Sequence, residues 1–194
     1  MRRSREETNE TIHTLLQIAQ QHFTKRGYSA VVLEEVAQAA GMTRGAVYHH
    51  FRSKKGLFQH VLEAVQVIIG QHVEKEAMKS DDPWEQLHLG CRGFLEAAVE
   101  PHHRRIVLID GPAVLGWETW RRLDEQNSMS HLREQLAMMQ EQRLLKPMPL
   151  DALTHFLSGA LNESALWIAE SEDIAAAMRQ SMDVLNAILE GIRT

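Results

Sequence analysis

Apolar side chains recur every three to four residues along the first quarter of the chain, a spacing that places them on one face of an α-helix. One run occupies 12–23 and stops before Gly27, and a second, shorter run occupies 33–40 and stops before Gly41. Glycine can adopt the left-handed conformation that closes a helix. The pattern therefore predicts two helices, the second of them short.

A third helix is predicted to begin beside Thr43, after a very tight turn. The threonine hydroxyl can accept a hydrogen bond from a free N–H of the first helical turn, and Val47 with Phe51 forms an apolar pair one turn apart. Ser53 can cap a fourth helix, whose apolar positions continue until about Met78. Helices two and three thus have the outline of a helix-turn-helix.

The remainder of the chain shows the same helical period, interrupted by Pro, Gly and acidic capping residues. The predicted elements are a helix from Asp82-Pro83 to Pro101, an apolar run at Ile106–Ile109 before the turn Asp110-Gly111-Pro112, and helices at about Trp117–Leu145, Leu150–Ala169 and Asp173–Ile192. No segment alternates between apolar and polar residues as a half-buried strand does. The predicted fold class is all-α, with about nine helices.

The last two predicted helices carry apolar residues on more than one stripe, so each needs two packing partners. Paired across a two-fold axis, the helices at 150–169 and 173–192 would form a four-helix bundle. We therefore expect a homodimer joined through the last two helices. The alternative is that both stripes pack inside one monomer.

Length and composition are those of an ordinary globular protein, with 194 residues, 44% of them hydrophobic and 24% charged. No stretch reaches the roughly eighteen consecutive apolar residues of a membrane helix, and the N-terminus lacks the apolar core of a signal peptide. Cys91 is the only cysteine, which excludes an intrachain disulfide and fits a reducing compartment. We expect a cytoplasmic protein without a membrane segment.

Charge is divided unevenly along the chain. Residues 1–55 contain nine Lys or Arg against five Asp or Glu, a net charge of +4, whereas the whole chain carries −5. The remaining residues therefore carry −9. A basic front and an acidic back indicate that only the N-terminal part faces a polyanion.

The polar face of the third helix combines residue types that recognise DNA. Arg44 can enter the major groove and donate two hydrogen bonds to a guanine edge, which discriminates bases by about 1–3 kcal/mol. Gly45 lets the backbone approach the DNA closely. The residues expected to contact phosphates are Thr43, Tyr48, His49 and His50, with Lys54 at the start of the fourth helix. Each could singly be an ordinary surface side chain, but their collection on one basic face favours double-stranded operator DNA as the partner.

Four segments carry a more specific pattern: Gly27-Tyr28, Leu33 to Ala37, Ala40 to Phe51, and Ser53 to Leu57. Together they resemble the N-terminal domain of the tetracycline-repressor (TetR) family over about the first sixty residues. The resemblance implies an all-α homodimer with a DNA-binding domain at 1–60 and a larger domain at 61–194 that binds a small molecule and dimerises. It implies that the DNA-contact positions of the family fall on Thr43, Arg44, Gly45, Tyr48, His49 and Lys54.

The chain departs from this family at the start of helix two. Members commonly have Thr or Ser there, whose hydroxyl caps the helix and touches a phosphate, whereas this chain has Val31 and Val32. Either Ser29 substitutes for that residue, or the contact is missing.

Residue character indicates where a small molecule could bind in the second domain. His88, Cys91 and Leu95 share a face of the fifth predicted helix, and Phe94 lies just beside them. Trp117 and Trp120 follow a predicted turn. An apolar cavity with a few polar groups would suit a lipophilic or aromatic effector. The alternative is that these side chains belong to an ordinary core.

These observations favour a sequence-specific DNA-binding transcriptional regulator. In the leading hypothesis a repressor dimer places its reading helices in adjacent major grooves, and a small-molecule effector releases it from operator DNA. A regulator without an effector fits the same sequence. An enzyme is disfavoured because the chain lacks the G-x-S-x-G, H-E-x-x-H and glycine-rich phosphate-binding motifs. No metal or other cofactor is expected, since Cys91 is the only thiolate available to accompany His102 and His103.

Overall fold

Residues 5–194 are described by the computed structural model, with side chains from residue 10 onward. The α-helices are α1 (Arg5–Ala30), α2 (Leu33–Ala39), α3 (Arg44–Phe51), α4 (Lys54–Ala77), α5 (Pro83–Val99), α6 (Pro101–Arg104), α7 (Gly111–Leu115), α8 (Trp117–Glu125), α9 (Ser128–Glu141), α10 (Leu150–Glu170) and α11 (Ile174–Ile192). A π-helix, Arg105–Asp110, joins α6 to α7. The predicted all-α fold is confirmed. Arg2 and Arg3, which contribute to the basic charge of the N-terminal part, lie outside the described residues.

Local capping interactions set several helix ends where the sequence predicts them. The Thr43 hydroxyl accepts a hydrogen bond from the Ala46 N–H at 3.2 Å, and the Asp82 carboxylate accepts one from the Glu85 N–H at 2.9 Å. Gly41 has a φ of 63°, the left-handed conformation expected after α2. Residues close in sequence therefore determine where α2 ends and where α3 and α5 begin.

Two stretches differ from the predicted elements. The apolar run Ile106–Ile109 does not precede a turn but belongs to the π-helix, which passes directly into α7. The predicted helix Trp117–Leu145 is interrupted near Asn127, whose side-chain amide donates to the Leu123 carbonyl at 2.7 Å. Asparagine side chains compete in this way with the helical hydrogen bonds of the backbone, so α8 ends and α9 begins.

The chain divides into two compact units, and the first comprises residues 5–65 and 101–120. Unit 1 has an aromatic core in which the rings of Tyr28 and Phe58 meet edge-on, with centroids 5.2 Å apart. Asp110 accepts a hydrogen bond from the Tyr28 N–H at 2.9 Å, so a segment distant in sequence is tied to the end of α1. The functional boundary predicted after residue 60 stays a prediction.

The second unit comprises Gln66–Glu100 and Arg121–Thr194. In unit 2, α10 packs against α5, α9 and α11. Its buried side chains include Leu87, Leu95, Leu136, Met139, Leu157, Ile168, Leu185 and Leu189. Two helices, α4 and α8, contribute residues to both units. Within the described part of the chain, no helix has the length and apolar character needed to cross a membrane.

Candidate nucleic-acid interface and effector cavity

The packing of α2 against α3 fixes which side of α3 faces solvent. Val36 and Ala37 of α2 are buried, as are Val47 and Phe51 of α3. The Met42 N–H donates to the Ala37 carbonyl at 2.9 Å, which closes the turn between the two helices. The opposite face of α3 is therefore left on the surface, as a helix that enters a DNA groove requires.

Six of the predicted DNA contacts lie on this segment, and all are exposed: Thr43, Arg44, Gly45, Tyr48, His49 and His50. The Arg44 guanidinium lies 2.8 Å from a carboxylate oxygen of Glu34 and 5.4 Å from the centre of the Tyr48 ring. An exposed ion pair of this kind contributes only about 0–1 kcal/mol. Glu34 and Tyr48 thus orient Arg44 at the surface without holding it there strongly.

Gly45 has no packing role in the described part of the chain. A Cβ atom added at this position would have the Thr43 hydroxyl oxygen, at 4.0 Å, as its nearest neighbour. Intramolecular packing therefore does not require glycine in the first turn of α3. Close approach of a binding partner to the α3 backbone would explain why this position is a glycine.

The ammonium of Lys54 lies among backbone carbonyls at the end of α1. Its nitrogen donates to the carbonyls of Tyr28 at 2.9 Å, Ser29 at 3.3 Å and Val31 at 2.9 Å, and lies 4.4 Å from the centre of the Tyr28 ring. An ammonium has three protons, and each has an acceptor here. Lys54 therefore connects the start of α4 to the end of α1, and its predicted phosphate contact stays a prediction.

Helix α2 begins without a hydroxyl cap among the described residues. Its N-cap residue is Val32, which is 44% exposed, while Val31 is buried. Ser29 contributes its carbonyl to Lys54. Glu34 and Glu35 lie in the first turn of α2, where their charges complement the positive end of the helix dipole.

Unit 2 contains a cavity of about 330 Å³, lined by residues of α4, α5, α8, α9 and α10. This volume lies within the usual range for small-molecule sites, about 300–1,000 Å³. The largest apolar side chains of its wall are Leu87, Phe94, Met129, Leu132, Met138 and Leu161. The cavity can therefore hold an apolar molecule of modest size.

Two of the five predicted effector residues, Cys91 and Phe94, line this cavity. Burial raises the pKa of the Cys91 thiol to about 12, so the thiol stays neutral at physiological pH. His88 does not belong to the cavity wall, because its ring bonds the Asn186 side chain at 2.6 Å elsewhere in unit 2.

The two predicted tryptophans lie in unit 1 and do not belong to the wall either. Trp120 is 4% exposed and its indole N–H donates to the Val107 carbonyl at 2.7 Å, which makes it a core residue. Trp117 is 66% exposed, with its ring centroid 4.9 Å from that of Trp120. For Trp120 the structure therefore supports the alternative role in the core.

One polar residue of the cavity wall, Asp124, belongs to a buried ion pair with Arg121. Asp124 lines the cavity and accepts hydrogen bonds from Arg121 at 2.6 Å and from the Ser158 hydroxyl at 3.5 Å. Burial raises the pKa of Asp124, although Arg121 and hydrogen bonds from Ser158 and Asn162 favour its charged form. The acceptor capacity of this carboxylate is thus largely used within the protein.

Sequence reasoning missed the contribution of α9 to the wall. Met129, Leu132 and Met138 lie on that helix and line the cavity. The apolar pattern of the long predicted helix does not show which other helices pack against it. Within residues 10–194, whose side chains the structure describes, no three His, Cys, Asp or Glu side chains gather as a metal site would require.

Family models match both halves of the chain. Residues 15–61 match the model described as bacterial regulatory proteins of the tetR family, and residues 84–192 match the tetracyclin repressor-like C-terminal domain. The chain belongs to the TetR family. Both models describe regulatory proteins rather than enzymes.

Solved structures and curated relatives agree with this membership. A TetR-family transcriptional regulator from Pectobacterium atrosepticum is 35% identical, covers 99% of this chain and 98% of its own, and superposes with a TM-score of 0.80. RolR, solved in complex with the ligand resorcinol, is 18% identical over 93% of this chain and 95% of its own, with a TM-score of 0.69, which shows the shared fold.

The HTH-type transcriptional regulator AcrR of Shigella flexneri is 35% identical over 108 residues, which are 55% of this TetR-family chain and 50% of AcrR. The chain spans about half the length of several of the curated relatives it matches. The tetR model at 15–61 ends within α4, so it includes the whole of α2 and α3 and their turn.

Proposed function

We propose that this TetR-family chain is a transcriptional repressor that binds double-stranded operator DNA as a homodimer. One observation carries the proposal: the outward face of α3 presents Arg44, Tyr48 and His49 around Gly45, a glycine that internal packing does not require. Arg44 reads a base, and the neighbouring polar side chains contact phosphates. Operator DNA in the bacterial cytoplasm is the proposed partner, and catalysis is not part of the proposal.

Genomic selection tests this proposal. The purified chain is mixed with sheared DNA of its host bacterium, and the bound fragments are sequenced. A dimer predicts an inverted repeat whose half-sites are about one helical turn, 10–10.5 base pairs, apart from centre to centre. Recovery without an enriched sequence would contradict the proposal.

The homodimer is proposed to form through α10 and α11. Large apolar side chains on these helices lie exposed in the single chain: Phe156 61%, Trp167 48%, Ile174 50% and Val184 61%. Exposed apolar surface of this kind marks an interaction site in a soluble protein. A second copy would cover it and place two copies of α3 on one DNA molecule.

Sedimentation of variants tests the dimer. Val184→Glu introduces a charge into the proposed interface and is expected to give monomers, whereas Ile109→Glu, at an apolar residue of unit 1 that is 46% exposed, should leave dimers intact. Equal masses for both variants would rule out α11 as the dimer contact.

Release by an effector is proposed to act through the cavity of unit 2. Helix α8 supplies Asp124 to the cavity wall of unit 2 and Trp120 to the core of unit 1. An effector needs only to bind two conformations unequally to shift the dimer away from DNA. The resorcinol complex of RolR supports the use of this fold for a small molecule.

The alternative is a regulator without an effector, and a ligand screen separates the two. Aromatic compounds that raise the melting temperature are tested for release of a fluorescent operator fragment. Binding without any effect on the DNA complex would favour the alternative.

A further inference from the structure

Gln66 lies on α4 with its amide completely enclosed. Its side chain is 1% exposed, and neither the amide nitrogen nor the amide oxygen has a hydrogen-bond partner among the described residues. Burying an amide without a partner destabilises the folded state, and native proteins keep few such groups. An apolar residue of similar size would be better for folding alone.

Helical periodicity places Gln66 on the face of α4 that borders the cavity. Residues four, seven and eleven positions later share that face, and these are Gly70, Val73 and Ala77. Val73 and Ala77 line the cavity. Gln66 itself does not line the cavity, and it lies two helical turns before Val73 on the same face of α4.

His131 reaches the same stripe from α9. Its ring lines the cavity, and its Nε2 atom lies 3.3 Å from the position that a Cβ atom on Gly70 would occupy. The absence of a side chain at Gly70 lets the imidazole approach within one helical turn of Gln66. Neither ring nitrogen of His131 takes part in a hydrogen bond with another described residue.

Several polar groups of the cavity wall are paired inside the protein. Asp124 accepts hydrogen bonds from Arg121 and Ser158, while Gln135 donates to the Pro83 carbonyl at 2.9 Å. Glu74 and Glu134 are exposed to solvent. Gln66, on the face of α4 that borders the wall, and His131, in the wall, keep unused hydrogen-bonding capacity, as does the half-buried Ser128 of the wall.

We propose that Gln66 and His131 select an effector with an uncharged hydroxyl group on an apolar, ring-sized body. A neutral hydroxyl both donates and accepts, and so do an amide and a neutral imidazole. A charged group would lose its hydration at Gln66 without gaining an opposite charge. The apolar body would lie against Leu87, Phe94 and Leu132. This inference rests on the proposed effector role of the cavity.

A matched pair of probes tests the inference on the full chain. The hydroxyl of 2-naphthol is replaced by a methyl group of similar size in 2-methylnaphthalene, and both dissociation constants are measured by tryptophan fluorescence. Wild-type protein should bind 2-naphthol at least about tenfold more tightly, the effect of one or two hydrogen bonds. Gln66→Leu and His131→Phe should each bring that ratio towards one. Gln71→Leu, at an exposed glutamine of the same helix, is the control and should keep it.

Thermal unfolding of the ligand-free variants adds a readout that a structural role would move in the opposite direction. Gln66→Leu, or Gln66→Met if the leucine variant fails to fold, should melt at a higher temperature than wild type because an unpaired amide is removed. A lower melting temperature for both variants would assign Gln66 to packing and overturn the inference.

Two binding outcomes also overturn it: equal affinity of wild-type protein for the two probes, or an unchanged preference in Gln66→Leu. Both leave the effector role of the cavity standing if 2-methylnaphthalene binds. If neither probe binds, the inference and the effector role of the cavity fail together. Operator binding is measured separately on DNA, so its failure is distinguishable from either result.

Discussion

The outward face of α3 and the wall of the proposed effector cavity use polar residues in opposite ways. On α3, Arg44 is exposed in a weak ion pair and Gly45 has open space around it, so their identities are not required for packing. In the cavity, Asp124 and Gln135 are paired with other parts of unit 2 and help to hold it together. Binding and stability should therefore be separable on α3 but coupled at most polar positions of the cavity.

The largest effect is expected from Arg44→Ala. Loss of a guanine contact in two half-sites removes about 2–6 kcal/mol, which lowers the preference for the selected operator over scrambled DNA by a factor between about 30 and about 20,000. Fluorescence anisotropy on the two DNA fragments measures it.

Arg92→Ala is the matched control for that experiment. Arg92 is also exposed and pairs with Glu96 at 2.8 Å, but it lies in unit 2. The control should keep the operator preference, and both variants should keep the wild-type melting temperature. If both variants lose the operator preference, or if neither does, Arg44 does not recognise a base in the way proposed.

Gly45→Ala should show the separation of binding from stability most clearly. Alanine is a better helix former than glycine by about 0.5–1 kcal/mol, and its Cβ meets open space, so the free energy of unfolding should rise slightly. Operator affinity should fall about tenfold per half-site, since the methyl group occupies the space into which DNA approaches.

Gly191→Ala, at another helical glycine with open space around it, serves as the control for stability alone, because α11 belongs to the proposed dimer interface. Urea unfolding and anisotropy are measured on the same preparations. If Gly45→Ala keeps wild-type affinity, the backbone of α3 does not approach DNA closely.

Lys54→Met is expected to weaken the fold of unit 1. The substitution keeps the apolar stem but removes three hydrogen bonds to carbonyls at the end of α1, a loss of about 2 kcal/mol in the free energy of unfolding. Lys55→Met removes the same charge from the exposed neighbour and should cost much less.

The salt dependence of DNA binding distinguishes the two roles of Lys54. A direct phosphate contact predicts a slope of log affinity against log salt that decreases by about one for each protomer. An unchanged slope, together with the lost stability, would leave Lys54 with a structural role alone.

The smallest expected effect is the loss of folding stability at alkaline pH that is due to the Cys91 thiol. The unfolded thiol ionises near pH 8.5, whereas burial raises the pKa of the folded thiol to about 12, so the unfolded chain loses its proton first. The stabilising contribution is complete below about pH 8.5 and is lost as the pH rises towards 12.

For each protein, the free energy of unfolding at about pH 9.5 is compared with its value at about pH 7.5. The wild type should lose about 1 kcal/mol more than Cys91→Ala over this interval. Urea unfolding at the two pH values measures it. Equal changes in both proteins would show that the Cys91 thiol is not protected from ionisation by burial.

The parts of the molecule that the sequence predicted correctly are those set by local interactions. Thr43 caps α3, Asp82 caps α5 and Gly41 closes α2 because each acts within four residues of its own position. The break at Asn127 is also local, because the Asn127 side chain bonds the Leu123 carbonyl four residues earlier.

The cavity could not be derived in the same way because it depends on packing between helices distant in sequence. Cys91 and Phe94 were predicted on α5, but Asp124 and Met129 belong to α8 and α9. Trp120 is an aromatic residue with one polar group, as a ligand contact could be, yet its indole N–H donates to a carbonyl in the core of unit 1. Residue type alone does not distinguish these two environments.

Methylation interference tests the reading role of α3 most directly. Operator DNA, taken from the genomic selection and methylated at guanine N7, is bound by wild-type protein or by Arg44→Ala, and the bound and free fractions are cleaved at the modified bases. Arg44 donating to a guanine predicts interference at one guanine in each half-site for wild type and its loss at that position alone in the variant. The same interference pattern in both proteins would contradict the assignment of Arg44 as the base reader.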